Sequence, residues 1–455
     1  MHSTNSTRRT FLAQAAACGW TARASSFAAP ARKPNIVIFY IDDMGYAQPG
    51  CYGGTLAPTP HIDALASGGI RFTDGYVSAC VCSPSRAGLV TGRYQSRTGH
   101  DANTTRPGTE LDLGERTIGE YMKRAGYATG IVGKWHLGSS EKHLPAARGF
   151  DFSLGSVSNP GEGRGPSFYR GVTPAESLPG APVTSPVYAR EAIGFIGKNR
   201  ANPFFLYLSF NAVHAPHVAS EKWLERFSGI ADRRRRAYAA MVAEVDDAVG
   251  SVMSRLRELD LEENTLVFCI SDNGGPPQQA ANGPFRGGKW NLWEGGIRVA
   301  FLARWKGRIP AGGVSREPVI QLDVLPTALA ASGAGVRPEK ELDGVNLLPL
   351  LEGKTATLSR EALYWRFGVQ FAVRRGDWKL VKPSAASRPM LFNLAADPGE
   401  EKDLAASDPA RANQLLALWE AWNANMKPPR WEDRRWEGDE VRRNREQRKN
   451  RKTKG

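Results

Sequence analysis

The hydrophobic positions between residues 34 and 271 form short apolar runs that alternate with helical patterns. Residues 34–41 (PNIVIFYI) are rich in β-branched and aromatic side chains, which predicts a buried strand. Residues 59–69 predict a helix, with Thr59 as N-cap, Pro60 in the first turn and glycine at the end. The same reasoning predicts strands over 127–132, 203–210 and 265–271, and helices over 117–125 and 236–259. This alternation predicts an α/β fold, with a mainly parallel sheet covered by helices on both faces.

Past Gly353 the pattern changes to short strand-like runs separated by turns. These runs lie at residues 362–367, 371–374, 378–381 and 390–394. They predict a small antiparallel sheet, closed by a helix over 409–424. Residues 158–186 are rich in Gly, Pro and Ser, which predicts a long surface excursion. We therefore expect a large α/β domain over residues 32–353 and a smaller antiparallel subdomain over residues 354–427.

Basic residues are concentrated near the end of the chain. The 455 residues carry a formal net charge of +14, and from Val441 onward there are eight basic residues and one acidic residue. With almost no apolar side chains there, residues 428–455 are predicted to be a basic, disordered tail. No aromatic interleaving or nucleic-acid-binding motif accompanies these charges, so no nucleic acid partner is expected. The remainder is also positive, which would help to attract an acidic substrate.

The first residues resemble an export signal. Residues 7–12 (TRRTFL) are similar to a twin-arginine signal, and a mildly apolar stretch and small residues follow. We expect residues 1–31 to be this signal, the export machinery to be a partner, and the protein to be periplasmic or secreted. The alternative is an ordinary basic terminus. No apolar run approaches the roughly 20 residues needed to cross a bilayer, so no stable membrane span is expected.

Two oxygen-rich pairs directly follow predicted strands. Asp42 and Asp43 follow the first strand, and Asp272 and Asn273 follow the strand over 265–271. Open α/β sheets bind ligands at the carboxyl ends of their strands, and these four oxygen donors suit Ca²⁺ or Mg²⁺. Either pair alone could simply begin a turn. Their matching placement favours a metal site.

Four cysteines lie beyond the predicted signal, and one of them belongs to a distinctive motif. The spacing of Cys51, Cys80, Cys82 and Cys269 is not typical of a zinc site or a disulfide framework. Residues 80–92 (CVCSPSRAGLVTG) closely resemble the signature of the sulfatase family, in which the cysteine of Cys-x-Pro-Ser-Arg is oxidised to formylglycine. The resemblance implies that Cys82 becomes an aldehyde whose hydrate supplies the nucleophilic oxygen, and that a formylglycine-generating maturase is a partner. A strict signature has a small residue or proline where this chain has Cys80, and the Pro-Ser-Arg spacing selects Cys82.

Other segments extend the resemblance to residues 34–404. Residues 126–138 are similar to the family's Gly-Lys-x-His element. Weaker similarities follow in family order at residues 211–216, 271–275, 289, 294–299, 323–327 and 391–398. The resemblance implies an alkaline-phosphatase-like fold, in which a mainly parallel sheet is sandwiched by helices and a smaller antiparallel sheet follows. The catalytic domain would be residues 32–353.

The chemistry of a sulfate ester explains why such residues are needed. Negative charge on the outer oxygens resists attack, so cations must offset it in the transition state. The resemblance implies that Arg86, Lys134 and Lys289 supply positive charge. It implies His136 as the base and His214 as the general acid for the departing alcohol, with Lys134, Lys289 and His214 in contact with the substrate. The implied metal ligands are Asp42, Asp43, Cys82, Asp272 and Asn273.

The expected substrate is a sulfated small molecule or glycan, and a sulfated carbohydrate suits an exported hydrolase with a basic body. Polar residues that could contact a sugar, or could be ordinary loop polarity, are His100, Asp101, Asn103, Arg106, Arg164, Arg170 and His217. One alternative is a phosphate mono- or diester hydrolase of the same superfamily, against which the Cys-x-Pro-Ser-Arg element argues. Another is a non-catalytic binder of sulfated glycans, against which the complete set of chemical positions argues.

Overall fold

The computed structural model describes residues 32–159, 167–175, 177–178, 180 and 182–437. The predicted signal segment, Arg164 and residues 438–455 lie outside these ranges. The described strands are β1 Asn35–Ile41, β2 Ile70–Phe72, β3 Gly75–Tyr76, β4 Ala128–Gly133, β5 Phe152–Ser156, β6 Phe168–Arg170, β7 Thr173–Ala175, β8 Phe204–Ser209, β9 Thr265–Ser271, β10 Phe301–Arg304, β11 Gly313–Ser315, β12 Val319–Ile320, β13 Leu363–Phe367, β14 Gln370–Arg375, β15 Trp378–Lys382 and β16 Met390–Asn393. The described helices are α1 Pro60–Ser67, α2 Cys82–Thr91, α3 Ile118–Arg124, α4 Ser185–Lys198, α5 Glu221–Arg226, α6 Arg233–Glu258, α7 Glu294–Ile297, α8 Val324–Ser332, α9 Leu348–Leu351 and α10 Pro409–Ala424. None of these helices has the length and apolar character of a membrane-spanning segment.

Ten strands form one large sheet, in the order β11-β2-β10-β9-β1-β8-β4-β5-β6-β7. The five central strands, from β9 to β5, are all parallel. Antiparallel pairing appears only towards the edges, where β10 joins β9 and β6 joins β5. The predicted mainly parallel sheet is therefore confirmed. A separate pair, β3 with β12, was not predicted because each strand is only two residues long.

The central strand β1 is buried along its whole length, as its apolar sequence predicts. Alternate side chains enter two separate cores, because successive residues of a strand point to opposite faces. Val37 and Phe39 belong to a core that includes side chains of α1, α4 and α6. Ile36 and Ile38 belong to a core that includes side chains of α2, α3 and α8. Helices therefore cover both faces of the sheet, and its strand ends carry the polar residues.

The register of the parallel strands brings several loop residues to the same edge. Ile41 of β1 pairs with Ser271 of β9, and Gly133 of β4 pairs with Ser209 of β8. The residues that follow these strands must therefore meet at the carboxyl edge of the sheet. This edge is where the sequence predicts the functional site.

The four C-terminal strands form an antiparallel sheet in chain order, β13-β14-β15-β16. Helix α10 covers it, with the Trp419 ring stacked on Phe371 at a centroid distance of 4.3 Å. The predicted small sheet and closing helix are confirmed.

The segment after α10 differs from its prediction. We call residues 427–437 the C-terminal strap. The sequence predicted a disordered tail from residue 428, whereas the strap lies against the large sheet's loops. The Arg430 N–H donates to the Gly99 carbonyl at 2.9 Å, and the Trp431 indole donates to the Asn103 carbonyl at 3.1 Å. The physical reason is that two tryptophans supply apolar surface among the basic residues.

Two predicted helix starts also differ in detail. Helix α6 begins at Arg233 rather than 236, because the Asp232 side chain accepts the N–H of Arg235 and caps the helix. Thr59 does precede α1, but its side chain does not cap that helix. Its hydroxyl instead accepts the Gly50 N–H at 2.7 Å.

Candidate active site

Charged residues from three strand ends meet at the carboxyl edge of the sheet. Asp42 follows β1, Lys134 follows β4 and Asp272 follows β9. Lys134 Nζ donates to Asp42 Oδ2 at 2.5 Å, and Asp272 Oδ1 accepts the N–H of Asp43 at 3.0 Å. The two oxygen-rich pairs that the sequence predicted are thus brought together.

Cys82 is the first residue of α2 and faces these carboxylates. Its Sγ lies 3.2 Å from Asp42 Oδ1 and 4.0 Å from Asp43 Oδ1. Burial raises the pKa of this thiol, and the negative charges of Asp272 and Asp42 raise it further. Cys80 instead packs in an apolar cluster. The structure therefore brings the cysteine selected by the Pro-Ser-Arg spacing to the predicted site.

Three buried cations surround the same carboxylates. Arg86 donates to Asp272 Oδ2 at 2.7 Å, and Lys289 Nζ donates to an Asp43 oxygen at 2.8 Å. Burial alone would lower the pKa of each lysine. Asp43 raises the pKa of Lys289 and Asp42 raises that of Lys134, so both side chains remain charged.

The donor set at this position fits a divalent cation. Ligand atoms of Asp42, Asp43, Cys82 and Asp272 all lie within 4.8 Å of one another. Asn273 donates through Nδ2 to Asp43 Oδ1 at 2.7 Å, while its buried Oδ1 has no hydrogen-bond partner. Burial and the charge of Asp42 raise the pKa of the Asp272 carboxyl, because like charges are crowded together. Buried carboxylates beside an unpartnered amide oxygen are the ligands that Ca²⁺ and Mg²⁺ prefer.

His136 lies two residues after Lys134. Its N–H donates to the Val157 carbonyl at 2.7 Å, and its buried Nδ1 has no hydrogen-bond partner. Burial and the charges of Lys134 and Arg86 lower the pKa of this histidine well below its usual value. A neutral imidazole with a free ring nitrogen is able to accept a proton.

His214 approaches the cluster from the segment after β8. Its Nδ1 lies 2.5 Å from the Ala215 carbonyl, which can only accept, so Nδ1 carries a proton. Its Nε2 lies 3.6 Å from Asp43 Oδ2. Burial and the charge of Lys289 lower the pKa of His214, whereas Asp43 acts in the opposite direction. The ring is oriented with Nε2 towards the carboxylates.

The backbone is strained at the site. Within the described residues, five non-glycine residues have a positive φ, and three of them are Asp43, His136 and Trp290, with φ of 60°, 59° and 73°. Residues other than glycine rarely adopt a positive φ, and each such residue costs of order 1 kcal/mol or more. Such strain persists where the surrounding structure imposes it, which is typical of functional sites.

The cluster borders a cavity of about 260 Å³, which we call the active-site cavity. The predicted site residues in its wall are Asp43, Cys82, His136, His214 and Lys289. Sequence reasoning missed others, among them Asn159, Tyr238, Gln278, Gln279, Trp290 and Arg435. Trp290 directly follows Lys289, and the two glutamines follow the Ser-Asp-Asn-Gly-Gly segment, so adjacency to these motifs could have found them. No sequence signal marks Arg435.

The residues predicted to contact a sugar lie in different places. Asn103 and His217 line the active-site cavity. His100 and Asp101 are buried in structural roles instead, with His100 Nε2 2.7 Å from Ser83 Oγ and Asp101 paired with Arg366. Arg106 and Arg170 are exposed and outside the cavity wall, and Arg164 lies outside the described residues.

Known proteins resemble this chain over most of its length. The model of a family described as "Sulfatase" matches residues 34–334, and one described as "N-sulphoglucosamine sulphohydrolase, C-terminal" matches residues 288–422. N-acetylgalactosamine-6-sulfatase of Canis lupus familiaris is 36% identical over 80% of this chain and 76% of its own length. Arylsulfatase A of Homo sapiens is 35% identical over 83% of this chain and 84% of its own length. The crystal structure of Ps i-CgsB in complex with k-i-k-neocarrahexaose is similar with a TM-score of 0.82, at 31% identity, covering 88% of this chain and 95% of that one.

Proposed function

The chain belongs to the sulfatase family and is a sulfuric ester hydrolase; on that premise, we propose that it removes sulfate from a sulfated carbohydrate, with the matured Cys82 side chain as nucleophile. The alternatives of a phosphate ester hydrolase and of a non-catalytic binder are not favoured by this family membership. The observation that carries the proposal is the position of Cys82 Sγ, 3.2 Å from Asp42 Oδ1 in the wall of the active-site cavity.

One divalent cation is part of this proposal. Asp42, Asp43, Asp272 and Asn273 would hold it, together with the side chain at position 82. We propose Ca²⁺, with Mg²⁺ as the alternative, because every protein donor except Cys82 is an oxygen. A bound cation would offset negative charge on the sulfate and favour the ionised form of the nucleophilic hydroxyl.

The protein's own cations and histidines have separate roles. Formylglycine at position 82 would supply, as its hydrate, the oxygen that attacks sulfur. Lys134 and Lys289 contact the sulfate oxygens, and Arg86 orients the carboxylates through its bond to Asp272. His136 accepts the proton of the nucleophilic hydroxyl through a free ring nitrogen. His214, in its doubly protonated form, donates the proton of Nε2 to the departing sugar oxygen as the sulfur–oxygen bond breaks, and the negative charge of Asp43 favours this form.

A carbohydrate substrate is supported by the surface next to the cavity. A second hollow of about 420 Å³ shares Ala215, His217 and Gln279 with the active-site cavity and continues to Arg233 and Arg234. A groove with positive charge at its far end suits a polyanionic saccharide longer than one sugar unit. The name of N-acetylgalactosamine-6-sulfatase and the saccharide in the Ps i-CgsB crystal agree with this class of substrate.

Export and maturation complete the proposal. The twin-arginine signal over residues 1–31 remains a prediction, because it lies outside the described residues. If the chain is exported folded, a maturase must oxidise Cys82 in the cytoplasm before transport. Mass spectrometry of exported, active protein tests this order, and an unmodified Cys82 thiol in that material would contradict it.

The test of function uses the full-length matured protein. Inorganic sulfate release is measured from sulfated mono- and oligosaccharides, aryl sulfates and the matching phosphate esters. We expect turnover of sulfated sugars and a loss of about 10³-fold or more in the Cys82→Ala variant, because the nucleophile is missing. Cys80→Ala is the matched control, since Cys80 packs in an apolar cluster, and should keep its activity.

Three results would contradict the proposal. Full turnover by Cys82→Ala would show that the nucleophile is assigned wrongly. Activity confined to aryl sulfates would reject a carbohydrate substrate, and faster turnover of the phosphate esters would favour the other reaction.

A further inference from the structure

The C-terminal strap carries Arg435 to the wall of the active-site cavity. Two tryptophans hold the strap on either side of this arginine. Trp431 is only 8% exposed and donates its indole N–H to the Asn103 carbonyl at 3.1 Å. Trp436 covers Gly368 so closely that a Cβ atom there would lie 2.2 Å from the indole. The packing of Trp431 and Trp436 therefore restricts the positions that the Arg435 side chain can occupy.

The strap is also connected to the nucleophile. Asn103, whose carbonyl holds Trp431, uses its side-chain Oδ1 to accept the N–H of Ser83 at 3.0 Å. Ser83 is the residue directly after Cys82. A single residue thus links the position of the strap to the start of the helix that carries the nucleophile.

Arg435 lies near a cation of the catalytic cluster. Its Cζ is 4.9 Å from the centroid of the Trp290 ring, and Lys289 Nζ is 5.2 Å from the same centroid. The two cations are therefore no more than about 10 Å apart, on a shared aromatic ring. Two anionic substituents on one sugar, or on neighbouring sugars, can span such a distance.

The guanidinium of Arg435 differs from those of the other arginines near the site. Arg86 pairs with Asp272, and Arg366 pairs with Asp101. In the part of the chain that the structure describes, no carboxylate forms an ion pair with Arg435. A half-buried guanidinium in a cavity wall without an acidic partner has donors available for a ligand.

We propose that Arg435 binds a second anionic group of the substrate, either a carboxylate or another sulfate. The proposal rests on the proposed function, in which Lys134 and Lys289 contact the sulfate that is removed. The planar guanidinium presents paired N–H donors that match two oxygens of either group. Arg435 would then select substrates that carry at least two negative charges.

The competing explanation is that Arg435 only packs on Trp290 and holds the strap in place. Loss of such packing would change thermal stability and would affect all substrates alike. Anion binding by Arg435 instead affects only those substrates that carry a second negative charge. The ratio of activities on paired substrates therefore separates the two explanations.

The experiment compares full-length matured wild type with Arg435→Gln and Arg435→Lys. The substrates are aryl sulfates with and without a ring carboxylate, and monosulfated and disulfated monosaccharides. Arg435→Gln should lower kcat/KM for the doubly charged substrates by about 10- to 100-fold, mainly through KM, the usual scale for a lost charge-assisted hydrogen bond. Singly charged substrates should change by less than about twofold, and Arg435→Lys should recover part of the loss.

Lys427→Gln is the matched control. Lys427 is exposed at the start of the same strap and outside the cavity wall, so its variant removes one positive charge without changing the substrate ratio. An equal effect of Arg435→Gln on singly and doubly charged substrates, or no effect, would overturn the proposal. Comparing the carboxylated aryl sulfates with the disulfated monosaccharides shows whether the second anion that is bound is a carboxylate or a sulfate. If sulfated sugars fail while aryl sulfates react, the carbohydrate proposal fails and the aryl pair still tests Arg435.

Discussion

Two buried groups of charges in this protein contain equal numbers of acidic and basic residues but have different surroundings. The active-site cluster consists of Asp42, Asp43, Asp272, Arg86, Lys134 and Lys289. The junction cluster lies between the large sheet's loops and the C-terminal sheet, and consists of Asp74, Glu294, Glu400, Arg298, Arg374 and Lys379. Each contains three acids and three bases, and all twelve side chains are at most 8% exposed.

The junction cluster is enclosed by the protein, whereas the active-site cluster borders a cavity. Lys379 Nζ lies 2.9 Å from Glu294 and 2.8 Å from Glu400, and it also donates to the Leu292 carbonyl. The junction cluster borders neither the active-site cavity nor the adjoining hollow. The active-site cluster borders the cavity and lies beside the unpartnered Oδ1 of Asn273. Buried charges that are enclosed by the protein join two parts of a fold, and those that border a cavity can bind an ion or a substrate.

The largest difference is expected from Asp43→Asn, which removes one charge of the active-site cluster without changing the shape of the side chain. Sulfate release should fall by about 10³-fold or more, because a cation ligand and the partner of Lys289 are altered together. The matched carboxylate-to-amide change in the junction cluster, Glu294→Gln, should leave kcat of the folded protein within about twofold. Equal kcat values for the two variants would refute the comparison.

The opposite response is expected from Lys379→Met. This variant leaves Glu294 and Glu400 buried without their lysine, so the free energy of unfolding should fall by about 3–5 kcal/mol. Denaturant titration measures the loss. Lys382→Met, at the end of the same strand β15, is the control and should cost less than about 1 kcal/mol. Unchanged stability in Lys379→Met would mean that the junction cluster does not hold the C-terminal sheet in place.

Removal of divalent cations should act through the active-site cluster alone. A chelator should lower the stability of the wild type, and excess Ca²⁺ should restore about 2–3 kcal/mol at a concentration near one hundred times Kd. Lys379→Met should keep this metal-dependent gain, whereas Asp43→Asn should lose most of it. Differential scanning calorimetry with and without Ca²⁺ measures the gain, and a gain of the same size in Asp43→Asn would exclude this cluster as the metal site.

The smallest effect concerns acid pH and the junction cluster. Burial alone would raise the pKa of Glu294, but Lys379, Arg298 and Arg374 lower it from 4.5 to about 2. Since the folded pKa is depressed, ion pairing stabilises the fold above pH 4.5, and this stabilisation is lost as the pH falls towards 2. The wild type should exceed Glu294→Gln in unfolding free energy by roughly 1–2 kcal/mol at pH 5, with the gap closing towards pH 2. A gap that stays constant with pH would show that Glu294 is not ionised in the fold.

The residues of the active-site cluster could be predicted from the sequence, because strand ends and motifs mark them. Asp42 and Asp272 each follow an apolar run, and a parallel sheet brings the ends of such runs together. Cys82, Lys134 and His136 lie within short segments whose spacing is specific. The main strands and the C-terminal sheet were predicted for the same reason, since periodic burial leaves a local pattern.

The junction cluster and the strap left no comparable pattern. Glu294 and Lys379 are 85 residues apart, and nothing local to either residue indicates that they meet. The polarity of His100 and Asp101 is compatible with sugar contacts, but polarity does not distinguish a cavity wall from a buried hydrogen-bond network. Arg435 belongs to a segment whose basic composition hides the two tryptophans that anchor it.

The burial of position 82 has a consequence for the order of oxidation and folding. All ten residues of α2 are buried, and the Cys82 side chain is 1% exposed. If a maturase oxidises Cys82, as we propose, it can bind this stretch only before the domain folds around it. Under this proposal, a molecule that folds before the oxidation keeps its thiol. Any preparation would then be a mixture of active molecules with an oxidised residue 82 and inactive molecules with a thiol there. Its specific activity would report the fraction of molecules in which oxidation preceded folding.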